Sequence, residues 1–212
     1  MKIVFSDLPM KKELHSVNYK VDGNKTIEYD GEIIFPVNSV LAKTMQKGEK
    51  VKIVLLSKKD IEGNSKKNEV KFKEELNEIN RNIGADIEYV SPIETPFTET
   101  RDVHKKIIRD MVATLEDNAE IIGDVTYGPK PLPIIMFAVM NFAEKFFKAN
   151  IKNIIYGKVD FVDDGSGMGK TKPINPVIYD LTPLYYLNNL TKTMSYKSSS
   201  DAVKALDSLL NL

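Results

Sequence analysis

Short apolar runs and longer stretches of helical spacing alternate along the whole chain. Residues 2–5, 51–56, 87–90, 121–125 and 151–156 read as short buried strands, and residues 177–179 as one more. Between them, residues 69–83 place Val70, Phe72, Leu76, Ile79 and Ile83 near one helical face, with Gly84 as the stop. Residues 98–115 repeat the pattern through Val103, Ile107, Met111 and Leu115, and residues 36–45 and 131–149 read as helices too. Two helices, 183–194 and 200–210, close the chain. Residues 19–21 and 26–29 flank Asp22-Gly23-Asn24-Lys25, which predicts a small β-hairpin inserted after the first strand. Strands that alternate with helices predict an α/β fold, a parallel sheet covered on both faces.

Composition narrows the classes. The chain has 212 residues, 42% hydrophobic and 28% charged, enough to bury a core. Thirty basic residues balance thirty acidic ones, which argues against a nonspecific binder of duplex nucleic acid. There is no Cys, so disulfides, thiolate metal sites and cysteine nucleophiles are excluded. The apolar run behind Met1 is too short for a signal-peptide core, and the longest one, residues 133–143, is about half a membrane span. A cytoplasmic protein with no membrane partner is expected.

The richest chemistry lies in Asp124-Val125-Thr126-Tyr127-Gly128-Pro129-Lys130-Pro131-Leu132-Pro133. A strand ends there and a helix begins, so the loop sits at the carboxyl edge, where open parallel sheets bind ligands. The simplest reading is an ordinary strand-to-helix turn. As a site, Lys130 offers a cation, Thr126 a hydroxyl and Tyr127 a ring for stacking. Pro131 is placed to open the helix. If the strand order is Rossmann-like, Ser6, Asp7, Leu8 and Pro9 lie nearby at the same edge. Two tempting motifs fail. In Gly165-Ser166-Gly167-Met168-Gly169-Lys170-Thr171 the first glycine is one residue too close for a phosphate loop, and Pro173 and Pro176 deny it a helix. His15 and His104 lie in neither metal-ligand nor triad spacing, and the Arg-to-His spacing of a HEPN-type ribonuclease is missing.

The 124–133 block resembles the Asp-x-Thr-His-Gly-x-Arg-x-x-Pro motif of CRISPR-associated Rossmann-fold (CARF) proteins. Asn153-Ile154-Ile155-Tyr156-Gly157 and Asp180-Leu181-Thr182-Pro183-Leu184 are similar to two later blocks of that family, in the same order. Tyr127 stands where the family has His, and Lys130 where it has Arg. The resemblance implies a sensor for cyclic oligoadenylate, tetra- or hexa-adenylate, bound across the two-fold axis of a homodimer. The ligand would lie over Ser6, Asp7, Leu8 and Pro9 and over Thr126, Tyr127, Gly128, Pro129, Lys130 and Pro131. Such a sensor regulates an effector in type III CRISPR antiviral defence. Residues 1–195 would form the sensor and residues 196–212 a helix leading to an effector domain. No cofactor or metal is implied.

The alternative reading is a metal-independent ring nuclease. There the ribose 2′-hydroxyl attacks its own phosphate, Ser6 orients it and Lys130 stabilises charge. A third reading, an unrelated small-molecule α/β enzyme, would need an acid–base pair that the sequence does not display.

Overall fold

The computed structural model describes residues 1–165, 170–193, 195 and 198–210. They form two compact units, residues 1–182 and 183–212. The first holds every strand: β1 (Lys2–Asp7), β2 (Lys20–Asp22), β3 (Lys50–Ser57), β4 (Asp86–Tyr89), β5 (Ile93–Glu94), β6 (Glu120–Asp124), β7 (Asn150–Asp163) and β8 (Thr171–Asp180). Its helices are α1 (Pro36–Thr44), α2 (Asn64–Asn80), α3 (Arg101–Val112) and α4 (Leu132–Phe147). The second unit carries α5 (Thr182–Thr193), which starts at the junction, and α6 (Ser199–Leu210).

The eight strands make one sheet in the order β2-β8-β7-β6-β1-β3-β4, with β5 also pairing β3. All pairs are parallel except β7 with β8. This is a Rossmann-like α/β architecture. Alternation along the central strands sorts the core into two layers. Val4, Ile53, Leu55 and Ile122 pack with Val40 and Leu41 of α1 and Phe72 and Leu76 of α2. Their neighbours point the other way, and a Cβ on Gly123 would collide with Met140 of α4. α1 touches α2 and α3 touches α4, one pair on each face.

The hairpin expected after β1 does not form. Residues 25–27 are a 3₁₀ turn, and β2 pairs in parallel with β8 through Lys20–Val177, Val21–Ile178 and Asp22–Tyr179. β2 runs against the central strands, so it begins at their carboxyl edge. Residues 8–19 therefore run from the end of β1 to the start of β2 on the α1–α2 side of the sheet, where the Asn68 side chain of α2 donates to the Pro9 and Lys11 carbonyls and Val17 and Tyr19 join that core. They form a strap near that edge, about 19 Å at ~4.8 Å per strand. The isolated bridge Val17–Ile33 pins its far end.

Other boundaries shift for local reasons. α2 starts at Asn64, inside a stretch that reads as a polar loop, because the Asp60 carboxylate accepts from the Asn64 and Ser65 amides at 2.7 and 3.0 Å. β7 and β8 are far longer than their apolar segments. Asp124 pairs with Ile155, so β7 from Tyr156 to Asp163 outruns β6 and pairs with β8 alone. That two-stranded arm projects roughly 24 Å past the sheet edge. At the sheet's two borders lie β2, three residues long, and β4, four residues long.

Candidate functional site

Apart from the outlying β2, after β1 the chain builds β3 and β4 on one side, then crosses back to lay β6 and β7 on the other. The strand order thus reverses between β1 and β6. Outside the carboxyl ends of those two strands lies the crevice where such sheets bind ligands. Asp7 ends β1 and Asp124 ends β6, so the 124–133 loop stands over this point.

Asp124 is a clamp. It is buried, its Oδ2 accepts from the Ser6 hydroxyl at 3.2 Å, and its Oδ1 accepts from the Thr126 amide at 2.9 Å. Burial pushes its carboxyl up to about 6, with the Thr126 and Ser6 hydrogen bonds and the Val37 amide opposing. The Thr126 hydroxyl in turn accepts from the Gly157 amide at 2.7 Å. Gly157 is required here, because a Cβ would run into Pro36. One strand further, the Ile154 amide donates to the Thr182 hydroxyl at 2.9 Å, and that hydroxyl donates to Asp180 at 2.5 Å. The three sequence blocks that resemble one family are thus joined through hydrogen bonds and neighbouring strands at one end of the sheet.

Two cavities open at this edge, about 370 and about 390 Å³ in volume. Lys11, Tyr127 and Gly128 line both. The first is aromatic, walled by Tyr19, Tyr127, Tyr156 and Phe161 with His15 and Thr126. The second is more apolar, lined by Leu8, Pro9, Met10 and Pro129, with Asp7, Lys11 and Lys58 as its charged members. Burial pushes the Asp7 carboxyl up to about 7, opposed by the Lys58 ammonium and the Leu8 amide. Its Oδ1 is buried without a hydrogen-bond partner. Its Oδ2 fills the place beside Gly128: a Cβ there would come within 2.5 Å of it, and Gly128 has φ +102°. Burial also raises the Tyr127 and Tyr19 hydroxyls, so both remain protonated donors at neutral pH.

The expected ligand contacts divide accordingly. Asp7, Leu8, Pro9, Thr126, Tyr127, Gly128 and Pro129 line the cavities. Ser6 lines neither; it is 2% exposed and its hydroxyl is committed to Asp124. Lys130 is exposed and lines neither, and Pro131 is the residue preceding α4 rather than its first turn. Residues 166–169 of the glycine-rich segment lie outside the described residues.

Several lining residues carry no sequence signal. Lys58 lies just past β3, 8% exposed, 3.5 Å from Glu99 and 5.1 Å over the Phe97 ring. Lys11 and His15 arrive on the strap, Phe161 on the arm. Tyr156 and Gly157, which line the first cavity, belong to the second block. A different seat is already filled. The Glu75 carboxylate accepts from the Ile34 and Phe35 amides at 2.6 and 3.2 Å and from the Asn38 side chain at 2.7 Å. At the start of α1, which in nucleotide-binding sheets receives a phosphate, the two amides just ahead of the helix are thus satisfied by Glu75 and the Val37 amide of its first turn by Asp124.

Among the described residues no cluster of three or more His, Asp or Glu could hold a metal ion, and no helix is long and apolar enough to cross a membrane. Comparison with protein-family models gave no match, and comparison with curated proteins gave none either.

Proposed function

We propose that this chain is a ligand-binding sensor for cyclic oligoadenylate, working as a homodimer to regulate an effector in type III CRISPR defence. One observation carries the reading. The Asp124–Pro133 block, which resembles the CARF motif, stands at the strand-order reversal, and its Tyr127 and Gly128 belong to both cavities there. The surroundings suit a nucleotide: aromatic faces for bases, Lys11 and Lys58 for phosphate, and tyrosine hydroxyls held as donors. An even-membered ring of adenylates has two-fold symmetry, which an isologous dimer matches.

Binding is favoured over cleavage on a specific ground. A ring nuclease using Ser6 needs its hydroxyl beside the ribose, yet Ser6 is buried and donates to Asp124. The test is a thermal-shift panel of cyclic tri-, tetra- and hexa-adenylate, with light scattering to follow assembly. Stabilisation by an even-membered ring and a two-chain mass support the proposal. No shift with any of the three, or a monomer with and without ligand, refutes it. Linear products with 2′,3′-cyclic phosphate ends would instead establish the nuclease.

A further inference from the structure

We infer that Phe161, on the β7–β8 arm, is a stacking platform for one base of the ligand, an assignment that rests on the oligoadenylate reading above. The arm exists because β7 continues past β6, and Phe161 pairs with Pro173 within it. It is 42% exposed yet lines the aromatic cavity. A large ring left open to water inside a concave site is poised to meet a flat apolar surface.

Two residues of the strap meet this ring. His15 packs on it at 5.5 Å between centroids and 52° between planes, and the Lys11 ammonium stands 5.3 Å from its centroid. His15 braces the platform. Lys11 is exposed, and an exposed ammonium over a phenyl ring is weakly held. An adenine can take its place against the ring, leaving the ammonium free for the adjoining phosphate. The remaining charges at this cavity are Glu13 and Lys158, the latter 3.0 Å from Asp160. Among the described residues, Lys11 has no carboxylate within ion-pair distance, whereas Lys158 has Asp160. Stacking tolerates any base, so Phe161 supplies affinity and position, while discrimination falls to other groups.

The chain contains no Trp, so Phe161→Trp introduces a unique fluorophore at the platform. Cyclic tetra-adenylate and cyclic hexa-adenylate are titrated into this variant, and calorimetry is run on the wild type, Phe161→Ala and Phe161→Tyr. The expected result is saturable quenching of the indole at the affinity calorimetry gives. Phe161→Ala should bind about tenfold or more weakly, as stacking on an aromatic side chain predicts, and Phe161→Tyr should recover that loss. Unchanged emission at saturating ligand, or equal affinity for wild type and Phe161→Ala, overturns the platform while leaving the sensor reading intact. If neither ring binds the wild type, the sensor reading falls and the platform falls with it. The fluorescence arm needs only a conservative aromatic exchange, so it decides the matter even if Phe161→Ala folds poorly.

Discussion

Asp7 offers the sharpest quantitative test, because its carboxyl is buried, lacks a partner on one oxygen, and is pushed up from 3.8 to about 7. A raised carboxyl means the folded chain binds its proton more tightly than the unfolded chain. The stabilisation from that proton is fully present below pH 3.8 and is lost as pH rises through 7. Between pH 5 and pH 8 the loss from Asp7 alone amounts to about 2–3 kcal/mol. For a chain of this size that is a fall of roughly 5–10 °C in melting temperature. Asp7→Asn removes the charge and keeps the shape. Its amide remains poorly bonded, a cost that does not vary with pH. Melting curves of wild type and Asp7→Asn at pH 5, 6, 7 and 8 should therefore diverge, the variant gaining on the wild type as pH rises. Asp124, pushed up to about 6, adds a decline that both proteins share. Parallel curves would refute the argument, since they would mean that Asp7 does not pay a burial cost when ionised.

Other changes probe separate parts of the site. Glu75→Ala strands two amides and the Asn38 side chain at the start of α1, and should cost about 3 kcal/mol in urea unfolding; a loss below 1 kcal/mol would show the cap to be idle. Gly128→Ala forces a Cβ against Asp7 and Leu132 at φ +102°, so it should lower the melting temperature and weaken cyclic tetra-adenylate binding together. A stable, fully binding variant would show that this loop moves freely. Lys130→Ala should leave the melting temperature unchanged, as Lys130 is exposed, and weaken the same ligand by about 1.5–3 kcal/mol per site in calorimetry; unchanged affinity removes Lys130 from the site.

The central sheet was legible because its strands are buried on both faces and read as continuous apolar runs, as in β1, β3 and β6. The 124–133 loop was legible because its residue types and its place between strand and helix are local. What failed was pairing at a distance. Residues 19–29 carry every local cue of a hairpin, yet Val21 finds its partner in Ile178. No short window contains that choice. The arm is not legible because the continuous apolar run of β7 breaks after Tyr156: Lys158, Val159, Asp160, Phe161, Val162 and Asp163 mix charged and apolar residues, and the last three are all exposed. Phe161, His15 and Lys11 meet only through the strap and the arm, so each looks ordinary in its own segment. Ser6 is a different case. Its position at the edge was right, but strand alternation put its hydroxyl on the Asp124 side.

The borders of the sheet set limits on how molecules of this protein can associate. One border strand, β2, offers three residues. The other border of β3 is covered piecemeal by β4 and β5, with Pro92 between them breaking the row of amide donors. Along the core of the sheet neither border presents a long run, but the arm does: β7 from Tyr156 to Asp163 pairs with β8 alone, leaving its other edge open to a strand from another molecule. Fusion of two sheets into one ribbon, the common route to fibrils and strand-swapped polymers, is thereby confined to the arm. Association elsewhere must be built from side chains on helices or strap, where a few substitutions can tune or abolish it without disturbing the sheet.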